Sequence, residues 1–260
     1  MKNLLKNLIP PAIRQKLTPR QLNALCIGAP KSGTTSIASL FSSRYRYGHE
    51  SERKEHVEII FSHYLGKITD KQYVNYLIKR DNRLWLDIES NCFLGYRADL
   101  VYKAFPLAKY ILTIREPKSW LESIFDNNIN FPISQSITMQ RWHTFFFKPE
   151  KYTYSDKDSI LEEYLLYPID AYLNYWVTSN NLVINSIPKQ QLLVLSTRSI
   201  SDSLPTLADF LDLPVKTLNN KKTRANVTES KHRILDKLDP YYVNERVETV
   251  CGNFIEKYSF

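Results

Sequence analysis

Short apolar runs alternate along the chain with segments in which apolar residues recur at the spacing of a helix face. The runs predict strands at residues 22–28, 84–88, 110–114 and 191–195. Strands that alternate with helices are typical of a parallel sheet covered by helices, because parallel neighbours need a crossover connection. We therefore predict an α/β fold with a central parallel sheet of about five strands, flanked by helices.

The helical segments are predicted to begin at Thr34 or Thr35 and at Pro117, and to span residues 55–64, 70–79, 159–187 and 204–211. Segment 159–187 contains Pro168, which predicts a kink because proline cannot donate a helical hydrogen bond. A further amphipathic helix is predicted at the end of the chain.

Residues 127–156 break this alternation, because they mix prolines and polar residues with many aromatic side chains. An irregular stretch of this length is more often a lid or a binding insertion than a plain connection. Many of its aromatic side chains are nevertheless expected to pack in the core. We predict one domain over residues 1–260, with an N-terminal helical extension over residues 1–20.

The charge balance indicates an anionic partner. Lys and Arg total 35 against 27 acidic residues, a net charge of +8. The basic residues are scattered, which argues against nucleic acid. The three cysteines are far apart and no Cys/His cluster has ligand spacing, so neither a disulfide framework nor a metal site is expected. With no apolar run near the ~20 residues of a membrane span and no signal-peptide core, we expect a cytoplasmic protein without stable membrane insertion.

The first predicted strand leads into the sequence GAPKSGTT, residues 28–35, and then into a helix. Backbone N–H groups in such a connection converge on an anion. In the ATP/GTP loop G-x-x-x-x-G-K-[ST], a lysine follows the second glycine. Here Gly28 and Gly33 keep that spacing, but Thr34 replaces the lysine and Lys31 stands inside the loop. We predict a phosphate-binding loop; the structural alternative is a simple strand–helix turn with a hydroxyl cap.

This loop resembles the phosphosulfate-binding loop, P-K-[ST]-G-T-[TS], of the sulfotransferases that use 3′-phosphoadenosine 5′-phosphosulfate (PAPS). The resemblance implies a P-loop NTPase-like fold, PAPS as the sulfuryl donor, 3′,5′-ADP as the product and no metal. The residues it assigns to donor binding are Pro30, Lys31, Ser32, Gly33, Thr34 and Thr35.

A second motif resembles the same family, whose members bind the donor's 3′-phosphate with an R-x-P-x-x-x-x-x-S pattern. Arg115, Pro117 and Ser123 reproduce that pattern. Arg115 follows a predicted strand, and ligands of open α/β sheets bind at the carboxyl ends of strands. A guanidinium can bind phosphate through two hydrogen bonds, and the Ser123 hydroxyl can donate another.

The region near the C-terminus resembles the family less. The sequence KKTRANVT is similar to the short loop that closes over the nucleotide in bacterial and glycan-type members, which implies donor binding by Arg224 and Asn226. The alternative is a solvated basic loop. Thr197, just beyond the last predicted strand, is expected on the adenine side.

Sulfuryl transfer needs a base for the acceptor hydroxyl and a cation for the charge on the departing phosphate. Lys31 is the predicted cation. Family members use Glu or His as the base, and we favour Glu50 over His49. Asp87 and Glu89 are alternative bases, since both are expected to face the site from the end of predicted strand 84–88. His143 is expected to be structural or to face the substrate.

We therefore predict a PAPS-dependent sulfotransferase that acts on the hydroxyl of a small molecule or glycan, with a carbohydrate favoured. One alternative is a P-loop kinase that uses ATP and Mg²⁺, with Asp87 as the metal-binding carboxylate. The other is a non-catalytic protein that binds a nucleotide or RNA.

Overall fold

Five parallel strands form one sheet in the order β2-β3-β1-β4-β5, in a computed structural model that describes residues 11–133, 136–220 and 232–258. The strands are β1 (Ala24–Cys26), β2 (Tyr47–His49), β3 (Ile88–Ser90), β4 (Lys109–Ile114) and β5 (Leu192–Ser196). Every neighbouring pair is parallel. The predicted α/β fold with a parallel sheet flanked by helices is confirmed.

The helices of the described chain lie before, between and after these strands. They are α1 (Pro11–Leu17), α2 (Thr34–Leu40), α3 (Arg53–Tyr64), α4 (Asp70–Leu84), α5 (Ala98–Ala104), α6 (Pro117–Asn130), α7 (Ile137–Phe147), α8 (Ile160–Glu163), α9 (Ile169–Ser186), α10 (Leu204–Phe210) and α11 (Pro240–Tyr258). Short 3₁₀ segments include Cys92–Arg97 and Thr197–Ser199. None of the described helices is long and apolar enough to cross a membrane.

Strand β4 shows why the sequence forms a buried parallel sheet. Tyr110, Leu112 and Ile114 belong to the larger core on one face of the sheet. Ile111 points to the opposite face, where helices α2 and α10 contribute Leu40 and Leu207. Because both faces are covered, the strand is an almost unbroken apolar run, as expected for a central parallel strand.

The prediction of a strand at residues 84–88 is wrong. Helix α4 begins with a capping box between Thr69 and Gln72 and continues to Leu84, while β3 begins only at Ile88. A short apolar run can end a helix or begin a strand, and periodicity alone does not separate the two. Edge strand β2 was not predicted because it is short and partly exposed.

Two other segments differ from the prediction. Residues 127–156 contain helix α7, which begins after Ser136, whose hydroxyl accepts a hydrogen bond from the backbone N–H of Met139. Segment 159–187 forms two separate helices, α8 and α9, rather than one kinked helix. Pro168 caps the second of them, because it lacks the N–H group that an interior helical position would need.

Candidate functional site

Strands β1 and β4 are parallel neighbours, so the connections that follow them meet at one edge of the sheet. The loop after β1 approaches the backbone of β4 closely. A Cβ atom at Gly28 would lie 2.7 Å from the carbonyl oxygen of Thr113. The Ser32 hydroxyl lies 2.6 Å from the carbonyl oxygen of Ala29 and 2.9 Å from the Thr113 hydroxyl. Ser32 therefore stabilises the loop from inside.

The loop has an unusual backbone conformation at two positions. Gly33 has φ of 102° and Lys31 has φ of 65°. The first is easy only for glycine. The second is a left-handed conformation that non-glycine residues rarely adopt and that is concentrated at functional sites. The Thr197 hydroxyl, from the connection after β5, donates to the carbonyl oxygen of Ser32 and holds the loop against the sheet.

Two cationic residues, Lys31 and Arg115, lie close together at this loop. The Arg115 Nη1 atom lies 3.5 Å from the carbonyl oxygen of Lys31, and its Nε atom donates to the Ser119 hydroxyl at 2.8 Å. The indole N–H of Trp176 donates to the Arg115 carbonyl at 3.0 Å and fixes the end of β4. Burial, and then the charge of Arg115, lower the pKa of Lys31. The two positive charges repel each other, and an anion bound close to both would offset this repulsion.

A cavity of about 510 Å³ opens at this edge of the sheet, within the usual size of small-molecule sites. Four of its lining side chains are cationic: Lys31, Arg53, Arg115 and Arg198. Among the described residues that line the cavity, Glu50 is the one with a carboxylate side chain. A cavity with this charge balance attracts an anionic ligand.

The structure brings most of the predicted site residues to this one cavity. Those that line it are Pro30, Lys31, Gly33, Thr34, Thr35, His49, Glu50, Arg115 and Ser123. Ser32 does not line the cavity, because its hydroxyl is hydrogen-bonded to the Ala29 carbonyl oxygen and the Thr113 hydroxyl. Arg224 and Asn226 lie outside the described residues.

His49 ends edge strand β2 and reaches the loop of residues 28–35 and the start of α2. Its Nε2 atom lies 3.4 Å from the Thr34 hydroxyl and 3.2 Å from the Thr35 hydroxyl. An imidazole nitrogen can donate or accept in these contacts, depending on its tautomer. His49 therefore connects the sheet edge to the two hydroxyls at the start of α2.

Glu50 is held by contacts from three directions. Its backbone has φ of 48°, and its N–H donates to the carbonyl oxygen of Ser90 at 3.0 Å. The Cys92 thiol donates to its Oε1 atom at 3.2 Å, and Arg53 Nη1 lies 3.6 Å from its Oε2 atom. Burial, followed by the nearby Glu50 carboxylate, raises the pKa of Cys92 well above its usual value. The thiol therefore stays protonated and able to donate.

Glu89 does not face the cavity, so that prediction is wrong. Its carboxylate forms a buried ion pair with Arg80, with an Nη1–Oε2 distance of 2.6 Å. The other terminal nitrogen of Arg80 also donates to the carbonyl oxygen of Ser51, next to Glu50. Glu89 therefore pairs with the same arginine that contacts the segment carrying Glu50.

Asp87 does not face the cavity either. It precedes β3 at the amino end of the strand, opposite the edge where ligands bind in parallel sheets. Its side chain is fully buried and pairs with Arg46, at 2.8 Å between Nη2 and Oδ1. Among the described residues, no group of three or more His, Cys, Asp or Glu side chains is placed to hold a metal ion.

Several lining residues were not predicted from the sequence. Ser119 lies in the first turn of α6, whereas Arg115 precedes that helix, so no helical spacing in the sequence links the two residues. Arg198 and Cys92 gave no signal either, because each reaches the cavity from a connection whose position depends on the sheet order. The aromatic side chains of α7 form another part of the lining.

A comparison with protein families identifies the family of this chain. The family model described as a sulfotransferase domain matches residues 23–222. The match covers well over half of the chain, which therefore belongs to this sulfotransferase family. A search of curated proteins found no significant match.

Two solved structures are also similar. A sulfotransferase from Alicyclobacillus acidocaldarius is 16% identical with a TM-score of 0.44, and the match covers 88% of this chain and 95% of that one. A sulfotransferase domain from the curacin biosynthetic pathway is 15% identical with a TM-score of 0.38, and the match covers 75% of each chain.

Proposed function

We propose that this protein transfers the sulfuryl group of PAPS to an acceptor hydroxyl. The observation that carries the proposal is the convergence of Lys31 and Arg115, from the connections after two neighbouring strands, on one cavity. A donor with an anionic group at each end would interact with both cations. Membership of the sulfotransferase family supports the same donor.

The chain offers separate groups for the two ends of the donor. The backbone amides of the loop and the ammonium group of Lys31 would hold the phosphosulfate. Arg115, with the Ser119 and Ser123 hydroxyls, would hold the 3′-phosphate. The donor supplies the sulfuryl group, and Lys31 stabilises the negative charge that grows on the departing phosphate. The proposed roles of Arg224 and Asn226 in closing over the nucleotide complete this assignment.

Glu50 is the proposed base. It accepts the proton of the acceptor hydroxyl as the hydroxyl oxygen bonds to sulfur and the bond between sulfur and the phosphate oxygen breaks. Its contacts with Cys92 and Arg53 hold the carboxylate at the cavity wall. His49 is the second candidate, since its ring contacts the threonine hydroxyls of the loop.

The position of Asp87 argues against the kinase alternative. A metal-binding carboxylate would have to reach the phosphates at the carboxyl ends of the strands, whereas Asp87 pairs with Arg46 at the amino end of β3.

Thermal unfolding tests the proposal. We expect 3′,5′-ADP to raise the Tm of the protein in the presence of EDTA. Stabilisation only by ATP with Mg²⁺ would favour the kinase, and no response to either would favour a non-catalytic role.

Other expectations stay as proposals. The glutamate and the aromatic residues favour a carbohydrate as the acceptor. Residues 127–156 are proposed to cover the acceptor, since α7 lines the cavity. The cytoplasmic location and the single-domain organisation stay predictions as well.

A further inference from the structure

Hydrogen bonds fix helix α1 and the residues that follow it to the rest of the domain. The side-chain amide of Gln15 donates to Oδ1 of Asn82 at 3.0 Å. The carbonyl oxygen of Thr18 accepts a hydrogen bond from the indole N–H of Trp85 at 2.9 Å and another from Nη1 of Arg46 at 2.9 Å. The position of this helix on the folded domain is therefore defined by polar contacts.

Two apolar side chains of the same helix point to solvent. Ile13 exposes 51% of its surface and Leu17 exposes 68%, and their i, i+4 spacing places them on one face of the helix. In a helix that packs on a domain, apolar residues at this spacing normally form the buried face. Removal of this exposed pair from water by a second apolar phase would be favourable.

The sequence around this helix is strongly basic. Residues 1–20 contain five Lys or Arg and no Asp or Glu, so they carry +5 of the chain's net charge of +8. Among the described residues, Lys16 is exposed on α1, next to Leu17. A segment that combines exposed apolar side chains with basic ones fits an anionic surface that has an apolar interior beneath it.

Helix α1 leads into the amino edge of the sheet, where each parallel strand begins. The backbone N–H of Gln21 donates to Oδ1 of Asp87 at 2.8 Å, and Asp87 directly precedes β3. Other exposed side chains lie a few residues before the strands at this edge: Arg44 before β2, Leu107 before β4 and Lys189 before β5. Leu107 exposes 89% of its surface. The amino edge therefore adds apolar and basic surface to that of α1.

Several carboxylates near α1 and this edge are neutralised by basic partners. They are Asp81 with Arg20, Asp87 with Arg46 and Asp212 with Lys109. Because each of these pairs has no net charge, they do not offset the positive charge of Lys16 and the other exposed basic side chains. An anionic partner is therefore favoured over a neutral or cationic one.

We propose that α1 and the adjoining amino edge of the sheet bind the surface of an anionic lipid bilayer. Ile13 and Leu17 enter the boundary between headgroups and acyl chains, and the basic side chains lie beside the lipid phosphates. This is attachment to one face of the bilayer and not a crossing of it. The cavity opens at the opposite, carboxyl edge of the sheet, so it stays accessible in the bound protein. The inference does not depend on the reaction proposed above.

Sedimentation with lipid vesicles tests this inference on the purified full chain. One set of vesicles contains equal parts of phosphatidylglycerol and phosphatidylcholine, and the other contains phosphatidylcholine alone. We expect the protein to bind the first set and to bind the second much more weakly, with binding to the first set reduced when NaCl is added. Equal binding to both sets, or binding to neither, would overturn the inference.

Variants of α1 test which side chains make the contact. The double variant Ile13→Ser/Leu17→Ser should lower the vesicle partition coefficient about 10- to 100-fold, because it removes the apolar part of the contact. Lys16→Glu should lower it about 5- to 30-fold at low ionic strength, because it reverses one charge. Leu165→Ser and Lys151→Glu are the matched controls, since both residues are exposed and lie outside α1 and the amino edge. A double variant that binds as tightly as the wild-type protein would contradict the assignment.

Analytical ultracentrifugation without lipid distinguishes a bilayer from a second copy of the chain. We expect the wild-type protein and the Ile13→Ser/Leu17→Ser variant to have the same mass in solution. A wild-type dimer that becomes a monomer in this variant would assign the face to self-association and overturn the inference. An unchanged Tm shows that the variant is folded. Failure of the wild-type protein to bind 3′,5′-ADP would count against the proposed function alone.

Discussion

The thiol of Cys92 donates a hydrogen bond to Oε1 of Glu50 at 3.2 Å, which links the start of a 3₁₀ segment to the residue after an edge strand. Cys92 is therefore a positioning residue for the candidate base. We expect Cys92→Ala to lower kcat about twofold to tenfold, the worth of one hydrogen bond, with KM for PAPS unchanged. Cys92→Ser, which keeps a donor, should recover most of the rate. Equal rates for both variants and the wild type would remove this role.

Glu50→Gln tests the base directly. The amide keeps the size of the side chain but cannot take a proton, so kcat should fall by about 100- to 10,000-fold. Binding of 3′,5′-ADP, measured by calorimetry, should be unchanged because the donor contacts come from other residues. A nearly normal kcat would exclude Glu50 as the base, and His49→Gln would then be the next variant to measure.

Lys31→Ala and Arg115→Ala should each weaken 3′,5′-ADP binding by about 10- to 100-fold, because each removes a charge-assisted hydrogen bond to phosphate. Lys79→Ala is the control, since Lys79 is exposed on α4 and does not line the cavity. Calorimetry gives both affinities. Unchanged binding in either site variant would contradict the proposed donor site.

The affinity for 3′,5′-ADP should depend on pH through Lys31. Burial lowers the pKa of Lys31, so its ammonium group loses its proton at a lower pH than an ordinary lysine. The bound anion favours the protonated form, and the Kd should therefore increase as the pH rises through this lowered pKa. In Lys31→Arg the increase should disappear, because a guanidinium stays protonated. A Kd in the wild-type protein that does not change with alkaline pH would contradict this role.

The buried pair of Arg80 and Glu89 should be important for stability and for the position of the base. Arg80→Met leaves the Glu89 carboxylate buried without its partner, which should lower the free energy of unfolding by about 3–5 kcal/mol in urea titrations. The double variant Arg80→Met/Glu89→Leu should recover much of that stability. Its kcat should stay low, because the hydrogen bond to the Ser51 carbonyl is still missing. Recovery of both stability and kcat would show that the pair does not position Glu50.

The parts of the site that could be predicted are those in which the ligand-binding residues and their secondary structure are adjacent in the sequence. GAPKSGTT follows one apolar strand, and Arg115 follows another. The sequence alone therefore predicts that both connections lie at the carboxyl edge of a parallel sheet. The structure brings the two cations to one cavity, as that reasoning requires.

The roles of the acidic residues could not be predicted in the same way. Asp87 and Glu89 are close to an apolar run, but whether their side chains reach the cavity depends on where helix α4 ends and β3 begins. Asp87 pairs with Arg46, which is distant in the sequence. Glu89 pairs with Arg80, which lies on helix α4. These ion pairs remove both carboxylates from the cavity, and no local pattern indicates them.

The amino-acid sequence by itself determined the glycine-containing loop after the first strand, the connection that carries Arg115 and the sheet that brings them together, because each depends on short-range spacing and on alternation of apolar runs. Tertiary structure alone decided which carboxylate faces the cavity and which aromatic side chains line it. Those outcomes depend on the packing of α4 and α7 against the sheet and its connections, where the partners of each side chain come from segments far apart in the chain.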